Sequence, residues 1–212
     1  WHDGQRVEVT TLDRIPMTFG GRATHMVENA LCATGACLAL GLRVPEVRDG
    51  LAAFRSSSRD NHGRLNVYTL DGGTVVLDFA HNEVGLSKLL DFSTHFREGD
   101  GTLTAIIGTA GDREDSVFLG LGRIAAERAD RVVRKDTERY LRGRVLGEMP
   151  RLLQQGVDSA GTGVESLEAP SEREACLAAF ENILPGDVIA VMCIEDYDFL
   201  LDHLDTHGRS LS

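Results

Sequence analysis

Short apolar runs alternate with stretches of helical spacing along most of this chain, and that alternation limits its fold more than any other feature. Thr74 to Phe79, Leu103 to Ile107, Arg131 to Arg134, Val164 to Ala169 and Asp187 to Cys193 read as strands, with Val164 to Ala169 the weakest of them. Helices fall between them. One follows Asn82 with Val84, Leu86, Leu89 and Leu90 at helical spacing, and one runs from about Ser116 to Arg128. Val145 to Gln154 is helical but broken or restarted at Pro150, Ser171 to Ile183 is capped by Ser171, and Glu195 to Leu204 comes last. Strands joined through helices require crossover connections. The predicted fold class is therefore α/β, a Rossmann-like, doubly wound, mostly parallel sheet with helices on both faces.

A short helical segment precedes the sheet. Arg6 to Thr11 is a polar strand candidate and Pro16 sits in a loop. A helix is expected from Thr24, its cap, to Leu40, with Gly41 as the stop; a second follows Pro45, with Val47, Leu51 and Phe54 on one face. The polar run Ser56 to Gly63 is the expected hinge or domain boundary. Beyond it Arg64 to Leu70 alternates like an edge strand, and Asp71-Gly72-Gly73 is a hairpin signal.

With 212 residues, 42% of them hydrophobic, the chain can bury an ordinary core. A formal net charge of −11 and a pI near 5.0 argue against nucleic acid or an anionic membrane as the main partner, because phosphate binding needs a cationic face. Cys32, Cys37, Cys176 and Cys193 lack CxxC spacing and read as buried thiols of a reducing cytoplasm, not as a metal site. No apolar stretch approaches the roughly 20 residues of a membrane span. The chain begins at Trp1 without an initiator Met, and we expect it to be a piece of a longer protein.

Ligands of open α/β sheets collect beyond the carboxyl ends of strands, which singles out Asp78, His81 and Asn82. The alternative, a capping aspartate followed by solvated helix-start residues, is equally compatible with the spacing. Gly108 to Arg113 joins a strand to a helix, where backbone N–H groups can face an anion, although it matches neither GxGxxG nor GxxxxGK[ST]. Lys135, Arg139, Arg142 and Arg144 form either a cationic loop for carboxylates or phosphates or a solvated charge run. His25 and Asn29 share a helix face, where a surface pair is the simpler reading; Arg64 alone is an ordinary strand-edge charge.

Taken together, several stretches resemble the Mur ligase family of ATP-dependent enzymes, which join an amino acid to a carboxylate through an acyl phosphate. His25-Met26-Val27-Glu28-Asn29 is similar to the HNxxN segment of the central ATPase domain, and Asp78-Phe79-Ala80-His81-Asn82 to D[YF]AHNP, with Met26 in place of Asn and Glu83 in place of Pro. Arg64 stands where the family has an arginine near the ATP phosphates. GGRATHMVENAL, GRLNV, IGTAGDR, LGRIAAERADRVV and YLRGR resemble most the cyanophycin synthetase branch. The resemblance implies that residues 1–60 end the central domain and 61–212 form the C-terminal domain. It implies an ATP site completed by Asn29, Arg64, Asp78, His81 and Asn82, and an amino-acid or peptide substrate met by Asp112, Arg113, Arg142 and Arg144. Cyanophycin-type members polymerise aspartate and arginine. No GxxxxGK[ST] loop occurs, so ATP and Mg2+ would be held mainly by an upstream ATPase domain, and this chain alone would be inactive, with no catalytic or metal-binding residue of its own. The competing reading is a non-catalytic binding or assembly module that keeps the fold. A homo-oligomer is compatible with either.

Overall fold

The computed structural model describes Gly4 and residues 6–211. Two helices come first, α1 (Thr24–Ala39) and α2 (Val44–Ala53). The sheet region then runs β1 (Asn66–Leu70), β2 (Gly73–Asp78), α3 (Glu83–Ser93), β3 (Leu103–Ile107), α4 (Asp115–Arg128) and β4 (Arg131–Lys135). It continues through α5 (Glu148–Ala160), β5 (Glu165–Ala169), α6 (Glu172–Glu181), β6 (Val188–Met192), α7 (Tyr197–His207) and the two-residue β7 (Arg209–Ser210). The strands form one sheet in the order β5-β4-β3-β6-β2-β1-β7. From β5 to β2 every pairing is parallel, while β1 is antiparallel to both of its neighbours.

Alternation along the strands divides the core in two. Val76, Ala105, Ile107, Val132 and Ala190 face α1 to α5, whereas Val75, Leu77, Ile106, Val133 and Val191 face α6 and α7. Both faces are covered, as a parallel sheet requires. On the first face α4 and α5 approach closely: a Cβ on Gly122 would lie 2.0 Å from the Leu153 carbonyl oxygen, so only glycine fits there. The β1–β2 hairpin turns through Asp71 and Gly72, both with positive φ, which matches the twist of the flanking strands.

Several expectations need correction. Arg6 to Thr11 is not a strand: β7 occupies the outer side of β1, and the segment instead lies beside α1 and α2, where Arg48 Nε donates to the Val9 carbonyl at 2.6 Å. For the same reason β1 is not the edge of the sheet. Thr24 does not cap α1; Ala23 holds that position without a side-chain bond. Pro150 does not break a helix, because α5 starts at Glu148 and the proline falls in its first turn, where an N–H would have no acceptor within the helix. Cys176 and Cys193 are buried, but Cys32 is exposed and Cys37 only partly covered. Among the described residues no helix is long and apolar enough to cross a membrane.

Candidate functional site

β2 ends at Asp78, whose Oδ2 accepts the Leu65 N–H at 2.9 Å. Leu65 has φ 52°, a left-handed conformation unfavourable for leucine, so this bond holds a strained turn between the polar run and β1. Arg64 lies at the same turn and sets its guanidinium 4.9 Å from the centre of the Phe79 ring. Across from them α1 presents His25 and Asn29 one turn apart.

Between these walls lies a cavity of about 640 Å³, with His25, Asn29, Asn61, Arg64 and Asp78, together with Thr34 and Glu46 farther along the helices, among its polar positions and Met26, Val47, Leu51 and Phe54 among its apolar ones. A second cavity of about 270 Å³ adjoins at His25 and Asp78 and reaches Asn82 and Lys88. The structure therefore brings together Asn29, Arg64, Asp78 and Asn82. It does not bring in His81, which lines neither cavity: its Nδ1 is 3.1 Å from the Phe79 carbonyl, and its own carbonyl accepts the Thr109 hydroxyl at 3.1 Å. Asn82 also caps α3, its Oδ1 accepting the Gly85 N–H at 2.8 Å.

Burial pushes the Asp78 carboxyl up to about 6, against the opposing pull of the Leu65 N–H and Arg64. Burial also lowers His25, with Lys88 adding to the effect, so its imidazole is neutral at pH 7. A largely apolar pocket with an amide and an imidazole from α1 on one wall and an arginine on the other suits a planar heterocycle carrying an anionic tail.

Beyond the other strand ends, the loops after β3 and β4 are fastened together. Thr137 Oγ1 donates to the Thr109 carbonyl at 2.8 Å and the Gly111 N–H to the Tyr140 carbonyl at 2.8 Å. Asp112 and Arg113 are exposed on the first loop, and Arg142 is exposed on the second with its guanidinium 5.5 Å from the Tyr140 ring centre. Arg144 is engaged internally. Its guanidinium donates to the Gly111 and Arg113 carbonyls and to Asp115 and Glu148 at 2.6–2.8 Å, so it binds the two loops to each other. Lys135 is no part of a cationic loop. It is wholly buried, 2.8 Å from Glu172.

Two features lie outside the candidate site residues named from the sequence. Glu195 lies just beyond the carboxyl end of β6, the strand whose last residue, Met192, pairs with Asp78; burial raises its carboxyl, which accepts the Arg139 N–H at 2.6 Å. The strand-end rule that selected Asp78 applies equally to Glu195. The second is Glu172, in the first turn of α6, whose carboxylate accepts the N–H groups of Ile194, Glu195 and Asp196. Burial would raise it, but Lys135 and these donors outweigh that and hold it well below the usual carboxylate range.

Residues 63–193 match the profile described as Mur ligase, glutamate ligase domain. The chain belongs to the Mur ligase family. It is 38% identical over 186 residues to cyanophycin synthetase of Synechocystis sp., covering 88% of this chain but 21% of that protein. With the UDP-N-acetylmuramoyl-L-alanyl-D-glutamate--2,6-diaminopimelate ligase of Gloeobacter violaceus it shares 32% identity over 198 residues, or 91% of this chain and 38% of the ligase. The fold recurs in E. coli FolC in complex with ADP, with a TM-score of 0.62 and 22% identity over 84% of this chain and 39% of that one. The chain thus spans about a fifth of the length of the cyanophycin synthetases it matches.

Proposed function

We propose that this chain is the substrate-binding and ATP-site-closing part of an ATP-dependent amide-bond ligase, joining an amino acid or peptide. Residues 1–60 would be the end of the central ATPase domain and 61–212 the C-terminal domain. The observation that carries the reading is the cavity shared by Asn29, from α1, and by Arg64 and Asp78, from the hinge and β2. A site built from both sides of a hinge closes when the hinge closes.

In this reading Asn29 meets the adenine edge, Arg64 the phosphates, and Asp78 holds the hinge turn with Asn82 beside it; His81 supports the turn through its carbonyl. The ADP held by FolC supports a nucleotide as the ligand. Mg2+, bound mainly outside this chain with the ATP triphosphate, would neutralise its charge. Asp112, Arg113 and Arg142 would face the incoming substrate, with Arg144 setting their loops. The match that begins at residue 63 supports a boundary in the polar run. Leu31 on α1 and Leu40 at its C-cap, 68% and 81% exposed, support further packing against an upstream ATPase domain. Four free cysteines support a cytoplasmic setting.

The test is base selectivity. In the full-length protein Asn29→Ala should raise KM for ATP about tenfold and leave KM for GTP nearly unchanged, as loss of a base-edge hydrogen bond would. Equal effects on both nucleotides, or none on either, would remove Asn29 from the adenine site.

A further inference from the structure

Gly63 closes the polar run, and its carbonyl oxygen accepts two donors, the Phe79 N–H at 3.0 Å and the Tyr197 hydroxyl. Tyr197 is the first residue of α7, so its side chain reaches from the β6–α7 turn to the hinge. The contact is close. A Cβ at Gly63 would lie 2.6 Å from ring atoms of Tyr197, and the glycine has φ +69°, so both the space and the backbone call for glycine. The Tyr197 ring centre is also 5.8 Å from that of His62 and 6.1 Å from that of Phe79, and His62 Nε2 meets Asp198 Oδ1 at 3.1 Å. Arg64 and Leu65 come directly after Gly63. The hydroxyl therefore fixes the turn that presents Arg64 to the large cavity and that Asp78 grips from the other side.

The other end of this connection is equally well held. Residues 194–196 donate their N–H groups to Glu172 at 2.8, 3.0 and 2.8 Å, and Glu172 is paired with Lys135, both wholly buried. The same turn carries Glu195 at the strand ends, and Asp196, which receives Arg139 at 2.6 Å and Arg173 at 3.2 Å. Hydrogen bonds thus hold the β6–α7 turn at both ends, to Glu172 and to Gly63.

We infer that Tyr197 is a positioning residue for the nucleotide site: its hydroxyl ties the β6–α7 turn to the hinge turn and so sets Arg64 and Asp78 at the cavity. The inference rests on the nucleotide reading above. Tyr197→Phe keeps the ring and removes only the hydroxyl. In the full-length protein it should raise KM for ATP about fivefold or more with kcat within about twofold, the pattern of lost binding without lost chemistry, while Tm moves by no more than about 2 °C. Arg64→Ala runs beside it as the control for the site itself. If Arg64→Ala raises KM for ATP and Tyr197→Phe does not, the positioning role is overturned and the nucleotide reading stands. Should neither variant change KM for ATP, both are overturned. A Tyr197→Phe protein that melts early with unchanged KM would make the hydroxyl merely structural and would likewise overturn the role.

Discussion

Asp78 carries opposing demands. Its carboxylate accepts the Leu65 N–H, which favours charge, yet burial raises its pKa to about 6. A carboxyl raised above its unfolded value binds more protons folded than unfolded, so its contribution to stability is full below about pH 4 and is lost as pH rises through about 6. Asp78→Asn keeps an acceptor for Leu65 and removes that titration. At pH 8 the variant should melt at the wild-type temperature or above it, and at pH 4 the difference should shrink, while ligase activity of the full-length protein falls by at least about tenfold, roughly 1.4 kcal/mol. Melting curves at both pH values with steady-state rates check this. A variant that unfolds early but keeps its specific activity would reduce Asp78 to a turn cap. The strand-end position of Asp78 was legible in the sequence, as was that of Asn82. The engagement of Arg144 was not, because its partners at Asp115 and Gly111 lie about 30 residues away and only the fold brings them near.

Among the elements, the buried Lys135–Glu172 pair joins the end of β4 to the start of α6 and holds the turn after β6. Removing one partner leaves an uncompensated buried charge, so Lys135→Met should cost about 3–5 kcal/mol, and Lys135→Met with Glu172→Gln should cost less than the single change. Denaturant unfolding of the three proteins tests the order. Pro150→Ala should change stability by no more than about 1 kcal/mol, since the proline displaces no hydrogen bond in the first turn of α5; a gain near 3 kcal/mol would mean that it strains the helix. The central strands and most helices were readable because apolar periodicity acts locally, as in Leu103 to Ile107. Where pairing decides, periodicity is blind: β7 is too short to carry a pattern, and Arg6 to Thr11 has strand-like residues but finds the outer side of β1 taken by β7. Lys135 read as part of a charged loop because spacing cannot show that Glu172 comes to meet it.

For the molecule as a whole, the proposed function leaves ATP turnover to residues outside this chain. The isolated chain should release no phosphate from ATP above background, and activity abolished by a substitution within it would refute that. It also implies that α1 and the sheet region form opposite walls of one nucleotide site, with the polar run 56–63 as the joint between them. Hydrogen exchange of the full-length protein, with and without a non-hydrolysable ATP analogue, tests this most directly. The analogue should slow exchange at residues 61–65 and 78–82 and along 25–29 of α1; unchanged exchange at all three, with protection confined to other parts of the protein, would contradict the account.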